Sequence, residues 1–140
     1  MDLDDFFGPR PIVIDLRAEK RWEVIDELIN HLLGNQKIKP EDREAIVASV
    51  TKRESSMSTG IGFGIGLPHA STELISDEIV AIGRSRKGVQ FDALDGKPVH
   101  LVFLFLVPTG QFQRHLDMLA RIAKLLHRHD FRDGLWRRFM

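Results

Sequence analysis

Residues 58–70 read S-T-G-I-G-F-G-I-G-L-P-H-A and end on an imidazole that follows a run of alternating glycines. Neutral imidazole is a nucleophile, and with an ordinary pKa of about 6.5 a large fraction of His69 is unprotonated near pH 7. A second histidine, His115, falls three residues after Phe112 and four before Leu119, near the apolar side and the start of a helical pattern. Unpaired N–H groups at a helix start favour an anion. Arg53 stands just upstream of the glycine run, and a guanidinium forks onto phosphate oxygens. Two imidazoles and a guanidinium on one spot suit phosphoryl transfer, which needs positioning and charge stabilisation more than covalent help. Thr59 adds a hydroxyl and Gly60 an unshielded N–H as further phosphate-binding groups.

The glycines themselves admit two readings. Gly60, Gly62, Gly64 and Gly66 occupy every second place, with Ile61, Phe63, Ile65 and Leu67 between them, which is the period of a strand. Such a ribbon leaves one face bare for a ligand, or it marks a bulge or a tight packing contact. Neither a P-loop nor a Rossmann fingerprint is present. The remaining histidines are less pointed. His31 suits an exposed helix end, His100 the edge of a core strand, and His127 and His129 a solvated turn. A metal hydrolase reading lacks the H-E-x-x-H spacing it would need, and no metal is expected.

The elements that must carry these groups alternate between strand and helix. Residues 12–16 suggest a first strand. Residues 18–33 have Trp22, Ile25, Ile29 and Leu32 at helical spacing, with Gly34 as a stop. Pro40, Glu41 and Asp42 open a second helix, buried through Ile46, Val47 and Val50 and ending near Arg53 and Glu54. Residues 79–86 read as a strand, and 89–94 with 99–107 as a hairpin about Asp95-Gly96. The run V-H-L-V-F-L-F-L-V predicts a strand covered on both faces. Helices follow over 111–126 and 130–139. The class is α/β, a single domain over residues 1–140 with a mixed parallel and antiparallel sheet flanked by helices on both sides.

Twenty basic and twenty acidic residues cancel, so a broad electrostatic grip on nucleic acid is not expected. The chain of 140 residues has no cysteine, which removes disulfides and thiolate chemistry. The start M-D-L-D-D-F-F lacks the apolar core of a signal peptide, and no apolar run is long enough to enter a bilayer. The expected place is the cytoplasm.

The string T-K-R-E-S-S-M-S-T-G-I-G-F-G-I-G-L-P-H-A resembles the signature of the type-2 enzyme IIA domain of the bacterial phosphotransferase system, the mannitol, fructose and nitrogen-regulatory family. F-D-A-L-D-G-K-P-V-H-L-V-F-L-F-L-V-P and H-L-D-M-L-A-R-I-A-K-L-L are similar to later parts of that domain. The resemblance runs from about residue 12 to 126. It implies a phosphotransferase component with no cofactor, in which His69 accepts a phosphoryl group from a histidine-containing phosphocarrier protein. His115 is then the second active-site histidine, Arg53 neutralises the phosphate, and Glu54 orients Arg53 or caps the helix. The recipient is a sugar-permease domain or a regulatory target. A nitrogen-regulatory role is preferred, with a fructose or mannitol transport component and a non-catalytic binding module on the same fold as alternatives. Apolar residues such as Phe63 and Leu67 are expected at the partner-facing rim. Members often read A-I-P-H or A-V-P-H where this chain has Gly66-Leu67-Pro68-His69, often carry an acidic or polar residue in place of His100, and often extend further at the C-terminus.

Overall fold

The computed structural model describes residues 12–140, except for the side chains of Phe112 and His115. The acidic stretch at residues 1–7 lies outside the described residues. Strands β1 (Ile12–Asp15), β2 (Gly60–Gly62), β3 (Ile65–Gly66), β4 (His69–Thr72), β5 (Ile79–Val89) and β6 (Val99–Pro108) form one sheet. Helices α1 (Arg21–Gly34), α2 (Arg43–Ser56), α3 (Phe112–Leu125) and α4 (His129–Phe139) cover it. The order is β1-β5-β6-β3-β2, with β4 also paired to β6. β5 and β6 are antiparallel, whereas β1 lies parallel to β5 and both β3 and β4 lie parallel to β6. The mixed sheet expected from the sequence is the one observed.

β6 is the centre of the molecule, and its uninterrupted apolar run follows from that place. Val102, Leu104 and Leu106 join Val24, Ile25, Leu28, Ile29 and Leu32 of α1 and Ile46 and Val50 of α2 in one core. Leu101, Phe103 and Phe105 join Ile122 and Leu126 at α3 and Leu135 and Phe139 of α4 in the other. Alternate residues of one strand thus face two helical layers. Each such aliphatic side chain contributes about 1.5–3 kcal/mol by leaving water.

Two expectations are corrected. Residues 89–94 are not a separate strand: β5 itself runs to Val89 and forms the hairpin with β6, from Ile79 opposite Leu106 to Val89 opposite Val99. Beyond Val89 the backbone has other partners. The Gln90 N–H donates to the Glu19 carbonyl at 2.8 Å, and the Gln90 carbonyl accepts from Arg21 N–H at 3.1 Å. The loop then turns through positive φ at Asp92 and Gly96.

The glycine run is the second correction. It is not one strand but a tight hairpin, β2 and β3 joined through Phe63 and Gly64, which both have positive φ (58° and 77°) as a type I′ turn requires. Its bare side is filled. A Cβ on Gly60 would lie 2.9 Å from Cα and Cβ of Ala93, and one on Gly66 would lie 3.1 Å from the Phe91 ring. One on Gly64 would lie 3.2 Å from the Trp136 indole. At Gly60, Gly64 and Gly66 the missing side chains admit aromatic and backbone neighbours, which favours the packing reading of the ribbon.

Candidate functional site

His69 opens β4, where its position is fixed from three directions. It pairs with Phe105 of β6, and the Phe105 N–H donates to the carbonyl of the preceding Pro68 at 3.0 Å. Leu67, buried against the α3–α4 core, gives its N–H to the Thr59 carbonyl at 3.0 Å. The Leu67 carbonyl in turn lies 2.8 Å from His69 Nδ1. A carbonyl can only accept, so Nδ1 carries the proton and Nε2 keeps its lone pair. The ring is half-buried, and its pKa is lowered from 6.5, chiefly by burial. The Leu67 bond opposes this shift, the Arg53 charge adds to it and Glu54 opposes it. Burial thus favours the neutral imidazole, and the Leu67 carbonyl leaves the lone pair on Nε2.

Arg53 lies in the last turn of α2, its Nη1 donating to the Met57 carbonyl at 3.2 Å. Its charge adds to the lowering of the His69 pKa, which places the two expected residues on the same side of the molecule within electrostatic reach. His115 lies near the start of α3, as its sequence context predicts; its side chain is outside the described residues.

The Thr59 hydroxyl and Gly60 N–H, expected from the sequence to meet a phosphate, have protein partners in this structure. The Thr59 hydroxyl is buried and donates its single proton to Glu54 Oε2 at 2.7 Å. Gly60 N–H donates to Ser58 Oγ at 3.1 Å. The Thr59 bonds tie the hairpin to α2, while Ser58, which accepts from Gly60, donates its own hydroxyl to the Phe91 carbonyl at 2.8 Å. Nor does Glu54 turn toward Arg53. It is 1% exposed, accepts from Thr59 N–H at 3.0 and 3.2 Å and from the Thr59 hydroxyl, and faces Arg21 Nη1 at 3.7 Å. Arg21 is the residue that sequence reasoning missed; it sits at the start of α1, and no local pattern ties it to Glu54.

His100, His127 and His129 have structural partners. His100 Nδ1 lies 2.8 Å from the Ser85 carbonyl, joining β6 to β5. His127 packs edge-on against Phe63, and Arg132 covers the same ring at 4.1 Å from its centroid. His129 faces Asp133 at 3.2 Å. Phe63 remains partly exposed at the hairpin tip, but Leu67 is buried and cannot be a rim residue. Among the described residues no group of three or more His, Asp or Glu is placed to hold a metal ion, and no helix is long and apolar enough to cross a membrane.

The fold is a mixed parallel and antiparallel sheet with helices packed on its two faces. Residues 5–138 match the family model described as "Phosphoenolpyruvate-dependent sugar phosphotransferase system, EIIA 2". The chain belongs to this family. It is 36% identical over 135 residues to the PTS system fructose-specific EIIABC component of Bacillus subtilis, covering 96% of this chain and 21% of that protein. It therefore spans about a fifth of that relative's length. A nitrogen regulatory protein of Pseudomonas aeruginosa is 33% identical over 133 residues, covering 95% of this chain and 85% of that one. The crystal structure of nitrogen regulatory protein IIA-Ntr from Neisseria meningitidis superimposes with a TM-score of 0.75 at 30% identity, over 89% of this chain and 83% of that one.

Proposed function

We propose that this domain, residues 1–140, is a phosphoryl carrier of a phosphotransferase system and that His69 Nε2 is the acceptor. The observation that carries the reading is the 2.8 Å contact between His69 Nδ1 and the Leu67 carbonyl, which leaves Nε2 unprotonated and free. The Nε2 lone pair attacks phosphorus on the phosphohistidine of a carrier protein. The donor's P–N bond breaks, its electron pair returns to the donor imidazole, and a new P–N bond forms on His69. The proton stays on Nδ1, donated in a hydrogen bond to the Leu67 carbonyl throughout, so the phosphorylated ring keeps its orientation. Transfer to the recipient is the same exchange in reverse, and the two half-reactions are ping-pong. Arg53 neutralises charge on the phosphoryl oxygens from the end of α2. His115, on the first turns of α3, is assigned as the second histidine of the site by family resemblance.

The role we favour is nitrogen-type regulation in the cytoplasm, with a regulatory target protein as recipient. Its support is the match to relatives of that name across most of their own length. A sugar-transport role, with a permease domain as recipient, draws support from the 36% identity to the fructose-specific protein.

The test is incubation with phosphoenolpyruvate, the first phosphotransferase protein and the phosphocarrier. Acid-labile, base-stable label is expected on the wild type and is absent from His69→Ala. Equal labelling of the variant refutes the assignment to His69. No label on the folded wild type favours a binding module without turnover. Restoration of fructose uptake in a strain lacking its own enzyme IIA would establish the transport role over the regulatory one.

A further inference from the structure

We infer that Glu54 and Thr59, with Arg21 as counter-ion, are positioning residues that set which nitrogen of His69 carries the proton. The inference rests on the reading of His69 as the nucleophile. The observation is a continuous series of contacts from a buried carboxylate to that ring. Arg21 Nη1 lies 3.7 Å from Glu54 Oε1. Both Glu54 oxygens accept from Thr59 N–H, and Oε2 also accepts from its hydroxyl. The Thr59 carbonyl accepts from Leu67 N–H at 3.0 Å, and the Leu67 carbonyl accepts from His69 Nδ1–H at 2.8 Å.

Each member has a physical reason to be of its type. A carboxylate is the one side chain there that accepts from a backbone N–H and a hydroxyl together while offering no competing donor. Buried at 1% exposure, it needs a countercharge, which Arg21 supplies from α1. Arg21 is held in turn: its guanidinium lies 4.2 Å from the centroid of the Trp22 ring, and its Nη1 is 3.5 Å from the Phe91 carbonyl. Thr59 stands where the chain leaves α2 and enters β2, so tying it to Glu54 fixes the hairpin against the helix that carries Arg53. Leu67 N–H then copies that position to the peptide preceding His69.

The consequence is chemical. A neutral imidazole in water prefers its proton on Nε2, the nitrogen that must attack. The Leu67 carbonyl reverses the preference, and it can do so only while it points at Nδ1. Loosening Thr59 lets the carbonyl tip, and part of the His69 population then carries its proton on the wrong nitrogen.

The experiment measures two independent quantities on Thr59→Val, Thr59→Ser and Glu54→Gln. One is the tautomer of His69, read by long-range 15N–1H correlation in the unphosphorylated protein at a pH above its titration. The other is the rate of phosphoryl acceptance at saturating phosphocarrier, with the half-saturating carrier concentration measured separately. The wild type is expected to be Nδ1-protonated. In Thr59→Val and Glu54→Gln a share of the ring shifts to Nε2-protonated, and the saturated rate falls by the same factor as the Nδ1-protonated fraction, with half-saturation unchanged. Thr59→Ser restores both. A wild-type ring protonated on Nε2 overturns the inference whatever the variants do. So does a folded Thr59→Val or Glu54→Gln with wild-type tautomer and rate. If the tautomer shifts as expected but the wild type takes no label at His69, the positioning stands and the phosphoryl-carrier reading falls.

Discussion

Replacing Gly60 by alanine separates the two meanings that alternating glycines can have. If the glycines exist to bare the backbone to a ligand, one methyl group at Gly60 disturbs function and leaves stability alone. If they exist to admit neighbours, it disturbs stability first. The geometry favours the second. The added Cβ would lie 2.9 Å from Cα and Cβ of Ala93 and 3.2 Å from Cδ1 of Phe91. Ala93 has little room to yield, because the next residue, Leu94, donates its N–H to the Gly60 carbonyl at 2.9 Å. Phe91 is 1% exposed and equally confined. Gly60 does not have positive φ, so the methyl adds no backbone strain and the whole effect is overpacking. Overpacking of this kind costs roughly 1–3 kcal/mol. With an unfolding entropy of about 2.1 cal/mol/K per residue, each kcal/mol is about 3 °C in Tm for a chain of this length. Thermal unfolding followed by circular dichroism should therefore show Tm lowered by roughly 3–10 °C. An unchanged Tm combined with impaired phosphoryl acceptance would refute the packing argument and restore the cradle.

Other consequences can be measured directly. An NMR titration of the His69 Cε1 proton should give a midpoint below 6.5, because burial foremost and the Arg53 charge after it disfavour the imidazolium; a midpoint at or above 6.5 contradicts this. Arg53→Gln should raise that midpoint by removing the positive charge. The linkage has a definite sign: the folded pKa is the lower one, so this group's share of stability is complete above about 6.5 and is lost as pH falls through the folded value. Denaturant melts of wild type and His69→Gln should converge on the acid side. Gly134 lies within α4 with nothing within 4 Å of an added Cβ, so Gly134→Ala should stabilise the protein by about 0.8–1 kcal/mol, seen as a higher denaturant midpoint. A lower midpoint would show that the interior of α4 does not tolerate a side chain at that place.

What could be read from the sequence follows from the range of the forces involved. Apolar spacing is local, so α1 and α2 could be found to within three residues or so of their ends, and the apolar run of β6 announced a strand buried on both faces. The Phe63–Gly64 turn was hidden because phenylalanine at positive φ is not a turn signal. It is held there by groups far away in sequence, with Arg132 on its face and His127 at its edge. The end of β5 was misread for a similar reason: Gln90 leaves the hairpin to pair with the segment around Lys20, a partner some seventy positions upstream.

The adjacent pair Arg53-Glu54 shows how neighbouring letters can face different partners. Consecutive residues on a helix do not face each other, since each step turns by about 100°. Once Arg53 acts at the His69 side, Glu54 must look elsewhere, and on α2 that direction is the interior, where Thr59 and Arg21 meet it. Glu54 is committed to Thr59 and Arg21 and so is not turned to Arg53, whereas the equally adjacent Arg43 and Glu44 at the start of the same helix do pair, at 2.8 Å. What the period could not supply was the partner. The Thr59 hydroxyl, five residues on, looks free for a phosphate until the carboxylate that takes its proton is placed. The guanidinium that balances that carboxylate comes from another helix altogether. In this domain His69 and Arg53 stand within or beside one short string of residues, while the contacts from Arg21 through Glu54 and Thr59 to Leu67 are assembled only when α1, α2 and the hairpin pack.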